Sequence, residues 1–310
     1  MVLRFKFISM ILIVGLLCSS IPVAAQTTVT PVTVLADLEE VLYGAPQEGS
    51  LLFRLEQVEF EIFGSPQSGP VLNRIQRARN YLDSNASGSN LKAQLNLAEW
   101  GFLAKITDGE PLRQRLANIE TELFGVPQEG PVTERIEQLM MFIWGTTELD
   151  SVAVEVKEQS LIKIRLLTTL DSSANQVGDI VRYRVVEDLM VDGRVVVPKG
   201  AEGFGRVKEV VTAGSVGRDG RVVIDFGAVP ALDGSGIPIR ISERATEKNR
   251  SLELAAGASM AGIMLLGSPV GLVGGYFVKG KDVQIPVGTE FYVETARTTQ
   301  VLGFSLVPVY

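Results

Sequence analysis

The sequence predicts an α+β chain in two parts: a short-helix repeat arm followed by a β-barrel or β-sandwich module with a glycine-rich apolar helical-hairpin insertion. Three observations predict it. A twenty-residue period runs between residues 38 and 145, hydrophobic alternation switches to a period of two from about residue 152, and residues 254–278 carry no charge.

The N-terminus comes first. Arg4 and Lys6 precede an apolar run from Phe7 to Leu17, and the small residues Val23-Ala24-Ala25 precede Gln26. That order is a secretory leader over 1–25, placing the mature protein in the periplasm or elsewhere in the cell envelope, with the outer membrane as one place of association. Cys18 follows Leu17, where a lipoprotein signal wants a small residue, so lipidation is not expected.

The mature chain has no cysteine and the whole sequence has no histidine. Disulfides, thiolate chemistry and the histidine-based triads are excluded, and the commonest zinc ligand is missing. A calcium site or a two-carboxylate glycosidase needs only Asp and Glu and stays open, but no carboxylate pair has identifying spacing. No catalytic, metal or cofactor residue is assigned, and no cofactor is implied. A formal charge of −7 argues against nucleic acid as a partner.

The repeat occupies 35–147. Leu42-Tyr43-Gly44-Ala45-Pro46-Gln47-Glu48-Gly49 recurs at Ile62 to Gly69 and at Leu123 to Gly130, and Ile143-Trp144-Gly145 opens another copy. Between these loops apolar residues step by four, three and four: Leu51, Leu55, Val58, Ile62; Leu112, Leu116, Ile119, Leu123; Val132, Ile136, Leu139, Ile143. Each set is one face of a helix of three to four turns. Pro70, Pro111 and Pro131 suit the first helical turn, and Gly44, Gly64, Gly125 and Gly145 the left-handed position past the helix end. The copy after Arg74 degenerates, and 83–98 breaks the register with Ser, Asn and Gly. Helices this short must pack on their neighbours or on another chain, which makes a homo-oligomer or envelope protein partners the expected company. The recurring Arg54, Arg74, Arg115 and Arg135 are expected to pair with carboxylates such as Glu59, Glu120 or Glu122 on a solvated face.

The second part, 152–310, alternates. Ile162, Ile164 and Leu166 face one way and Lys163 and Arg165 the other; Val181, Tyr183 and Val185 alternate with Arg182 and Arg184. Val195 to Val197, Val222 to Ile224 and Phe291 to Val293 are further strands, and Asp192-Gly193, Asp219-Gly220 and Asp233-Gly234 are hairpin signals. Asp171, Asp179, Asp188, Asp192, Asp225 and Asp233 fall at strand ends and turns, where they bond locally. Gly214, Gly217 and Gly220 with Arg218 and Arg221 read as a hairpin loop, since the Lys-Ser/Thr ending of a phosphate loop is missing.

The insertion, 252–278, holds Gly267, Gly271 and Gly275 four apart, the spacing that lets helices approach closely in a bilayer, with Leu265, Leu266 and Leu272 beside them. These six residues are the candidate membrane or interface site. Ser268-Pro269 in the middle would split a helix. Three readings compete: two short helices meeting a membrane, an apolar hairpin buried in the module, and a single spanning helix.

Val195-Val196-Val197-Pro198-Lys199-Gly200, followed by Gly205, Arg221 to Ile224 and Asp233-Gly234, resembles the C-terminal barrel of TrbI-type conjugation and type IV secretion channel proteins. In that family a strand ends in an Ile-Pro-x-Gly turn, a later strand leads to an Asp-Gly turn, and a helical pair that reaches the outer membrane interrupts the barrel. The resemblance covers at most 160–300 and implies an envelope scaffold that oligomerises into a ring. The expectation drawn from the whole sequence is a non-enzymatic envelope scaffold that self-associates and contacts a membrane. The alternative is a soluble extracytoplasmic binding module, with cell-wall polymer as one ligand.

Overall fold

The computed structural model describes residues 30–83, 90–107, 109–214, 220–242, 245, 248–249 and 282–305. The leader and the insertion, including Leu265, Leu266, Gly267, Gly271, Leu272 and Gly275, lie outside the described residues.

Six helices of 13 residues each form the arm: α1 (Pro31–Tyr43), α2 (Leu51–Phe63), α3 (Val71–Asp83), α4 (Leu91–Leu103), α5 (Leu112–Phe124) and α6 (Val132–Trp144). Each starts 20 residues after the last, apart from α5, which starts 21 after α4. The expected break at 83–98 is therefore corrected. The loop motif is lost there, but Leu95, Ala98 and Glu99 keep the helical positions of Leu55, Val58 and Glu59. What degenerated was the turn chemistry, and packing preserved the helix.

The stripe residues Leu55, Val58, Ile62, Leu116, Ile119, Ile136 and Leu139 are fully buried within the one chain. Burial of each such side chain contributes about 1.5–3 kcal/mol, which is what holds helices too short to stand alone. Gly44, Gly64, Gly125 and Gly145 all take left-handed φ just past their helices, as expected. Gly44 lies against Pro111 and Gly64 against Pro131, so α1 meets α5 as α2 meets α6. The prolines sit one residue earlier than expected: Pro111 and Pro131 occupy the cap, and the helices begin after them.

The solvated Arg–carboxylate pairing is also corrected, because the pairs are buried. Glu39, Glu59, Glu99 and Glu120, the ninth residue of their helices, hold Arg54, Arg74, Arg115 and Arg135, the fourth residue of the next, at 2.5–2.7 Å. The four glutamates are at most 2% exposed. Each also accepts the backbone N–H eight residues on, at Gln47, Gln67, Thr107 and Gln128. The Gln side chain in turn closes its loop onto the carbonyl two residues before it. The Pro-Gln loop is thus part of the ion-pair site. Where the ninth residue is Arg79, the fourth residue of the next helix is Gln94, so this junction has no glutamate–arginine pair at these two positions. Glu122 stays exposed.

The β-module is antiparallel, its sheets curled into half-barrels. The strands are β1 (Ser151–Val156), β2 (Leu161–Leu166), β3 (Leu170–Asp171), β4 (Ile180–Val185), β5 (Leu189–Val191), β6 (Arg194–Val197), β7 (Glu202–Val211), β8 (Arg221–Asp225), β9 (Ala228–Pro230), β10 (Gly236–Arg240), β11 (Gln284–Ile285), β12 (Glu290–Thr295) and β13 (Thr299–Phe304). A seven-stranded sheet runs β8-β7-β4-β2-β12-β10-β9, a four-stranded sheet β1-β13-β6-β5, and β11 pairs β3. The alternation holds: Ile162, Ile164, Leu166, Val181, Tyr183 and Val185 are buried while Arg165 and Arg184 sit on the opposite face. Asp192 at φ 50° and Gly193 at φ 75° form the two-residue β5–β6 hairpin that Asp-Gly predicts. Tyr183, Phe226 and Phe291 pack edge to face at the centre, and the Tyr183 hydroxyl donates to the Phe226 and Ala228 carbonyls. Asp171, Asp179, Asp188, Asp225 and Asp233 each accept a backbone N–H close to a turn or strand end. One apolar core continues from Leu35 on α1 to Phe304 on β13.

Candidate functional site at the junction of arm and module

Arm and module meet along α4. Lys92, Asn96 and Trp100 fall four apart, on one helical face. Each donates to a carbonyl of the β-module: Lys92 Nζ to Gly234 at 3.0 Å, Asn96 Nδ2 to Ala231 and Leu232 at 3.3 and 3.2 Å, and Trp100 Nε1 to Lys199 at 3.1 Å. Asn96 also accepts from Arg115 at 2.6 Å, which ties the arm's ion pair to the same contact. After α4 the chain leaves through Ala104 in left-handed φ and pairs Ile106 in parallel with Ala201. Gly200 is needed twice here: its φ is +95°, and a Cβ would stand 2.0 Å from the Ala104 oxygen.

The loop that receives α4, residues 231–235, is held from the far side as well. Asp233 is 1% exposed and accepts from the Ser235 N–H and the Leu302 N–H, both at 2.8 Å. Burial pushes its carboxyl above the usual range, against the pull of those N–H groups. Leu232 N–H donates to Val196 on β6, so α4 and both large sheets converge on five residues.

Beside this contact a cleft of about 510 Å³ opens between the ends of α4 and α6 and the outer face of the seven-stranded sheet. On the helical side Trp100 and Trp144 stack with centroids 6.1 Å apart and an interplanar angle of 17°. Trp144 donates Nε1–H to the Leu97 carbonyl. Gly101 makes room, since a Cβ there would come within 2.7 Å of the Trp144 ring. On the sheet side the register sets Glu290, Arg165, Arg184 and Glu202 in one row across β12, β2, β4 and β7. Arg165 pairs with Glu290 and Arg184 with Glu202, the Nε contacts being 2.9 and 3.0 Å. The Arg165 and Lys163 cations hold the Glu290 carboxyl below its usual range. Lys199 and Asp188 complete the rim.

None of these junction residues was picked out in the sequence as a site. The available signal was the step of four from Lys92 to Trp100 in the one copy that departs from the loop motif. The site residues expected in the insertion lie outside the described residues, between the end of β10 at Arg240 and the start of β11 at Gln284. Among the described residues no helix is long and apolar enough to cross a membrane, and no cluster of three metal-ligating side chains occurs.

No family model matches the chain, and no curated protein matches it. Among solved structures it is similar to ComB10 of the Com type IV secretion system of Helicobacter pylori, at 15% identity over 46% of this chain and 88% of that one, with a TM-score of 0.28. That likeness is distant.

Proposed function

We propose that the chain is a non-enzymatic scaffold of the cell envelope, in which the repeat arm and β-module act as one piece and the 254–278 segment contacts a membrane or membrane complex. The observation that carries this is the α4 face: Lys92, Asn96 and Trp100 commit their donors to fixing the arm on the module. Five buried carboxylates are committed likewise, Glu39, Glu59, Glu99 and Glu120 to arginines and Asp233 to N–H groups. Buried polar groups spent in this way specify geometry. The repeat stripe is used up within the chain, so contacts with further copies or envelope proteins fall to exposed aromatics of the arm such as Phe60 and Phe142, 59% and 66% exposed.

The test is fractionation of the native protein with a carbonate wash and detergent extraction. Retention through carbonate and release by detergent, with Gly271→Asp moving the protein to the soluble fraction still folded, supports the membrane contact. A soluble wild type, with Gly271→Asp unfolded, removes it. The Trp100–Trp144 cleft favours a second reading, a soluble extracytoplasmic binding module, which that outcome would leave in place.

A further inference from the structure

The protein has two tryptophans, and both line the junction cleft. A cleft of about 510 Å³ is in the range that encloses small-molecule ligands. Both indole N–H edges are spent on backbone carbonyls, so what the rings can offer a ligand is their faces. Opposite them, Arg165 and Arg184 turn Nε and Nη2 toward their glutamates. Their side chains are still 46% and 43% exposed, and the Nη1 donors form no hydrogen bond among the described residues. Those carboxylates hold the guanidinium planes fixed, which lowers the ordering cost of binding. Lys199 is exposed and forms no ion pair among the described residues. β2 and β4, which carry the arginines, are paired on both sides, so no strand edge is available for a peptide to extend the sheet.

We propose that this cleft binds an acidic saccharide, a sugar ring bearing a carboxylate. The C–H face of the ring packs on the indoles, and Nη1 of Arg165 and Arg184 with Nζ of Lys199 takes the carboxylate and hydroxyls. The proposal deepens the binding reading and does not depend on the membrane segment. Because Trp100 and Trp144 are the whole tryptophan complement, tryptophan emission excited selectively over tyrosine reports on this cleft alone.

The experiment is a fluorescence titration of the purified mature protein with tetragalacturonate, beside maltotetraose, tetraglutamate and inorganic phosphate. The expected result is a saturable change with tetragalacturonate at a Kd at least tenfold below the other three. Lys199→Glu, at an exposed position, should weaken binding at least tenfold with an unchanged melting curve, and Arg165→Gln serves as a second variant should the first disturb folding. Equal response to maltotetraose, tighter binding of tetraglutamate or phosphate, or no response to tetragalacturonate would each overturn the proposal. No membrane enters the titration, so its failure and the failure of the membrane contact are separate results.

Discussion

Arg115 donates to the Asn96 side-chain oxygen at 2.6 Å, while the nitrogen of the same amide donates to the Ala231 and Leu232 carbonyls. One buried side chain therefore joins the arm's ion-pair series to the β-module. Asn96→Leu should leave the Leu232 carbonyl and one arginine N–H unpaired, while the Ala231 carbonyl keeps the Gly234 N–H, at a cost of about 1–3 kcal/mol for each group left buried. Urea unfolding would show it as a lower midpoint, and a loss below 0.5 kcal/mol, within the range of ordinary surface substitutions, would mean that the amide is dispensable.

The ion pairs themselves are asymmetric in what they cost. Arg74→Met strands the Glu59 carboxylate in the core and should destabilise by about 3–5 kcal/mol. Adding Glu59→Leu should restore only part of that, because Glu59 also accepts the Gln67 N–H, which would then be orphaned. A double-mutant cycle read by chemical denaturation measures the difference.

Gly200→Ala places a methyl against the Ala104 oxygen in a backbone conformation that alanine disfavours. The strain of the left-handed region is about 1–3 kcal/mol, before the clash is counted. The expected outcome is a loss of at least that size together with a red shift of tryptophan emission, as the junction loosens around Trp100. An unchanged spectrum would place the effect elsewhere.

The outer row of charges sets a pH dependence. Arg165 and Lys163 depress the folded pKa of Glu290, so its contribution is present above the unfolded carboxylate value, about 4.3, and is lost as pH falls through the lower folded value. Wild type should exceed Glu290→Gln in stability at pH 7, and the gap should close on acidification below that unfolded value. A gap that widens in acid would contradict this sign.

Much of the fold was legible. The stripe from Leu51 to Ile62 and the alternation from Ile162 to Leu166 announced their elements because each buries one face, and Asp192-Gly193 announced its turn because few residues accept positive φ. Helix α4 was missed because its identity rests on Leu95, Ala98 and Glu99, with no loop motif to frame them. The burial of Glu59 and Glu120 could not be read from spacing alone, since an Arg–Glu pair has the same sequence whether solvated or enclosed. The junction cleft was invisible for a different reason. It joins Trp100 to Arg184, residues brought together by tertiary packing across elements that carry no shared period.

The account stands most directly on arm and module behaving as one unit. The measurement is urea unfolding of the mature protein followed by far-ultraviolet circular dichroism, for the helices, and by tryptophan fluorescence, for the junction. Coincident transitions with a single midpoint are predicted, and Asn96→Leu should lower both together. Two separated transitions in the wild type, with the fluorescence change preceding loss of helix, would show that the arm and the module are independent bodies and contradict the scaffold built on their union.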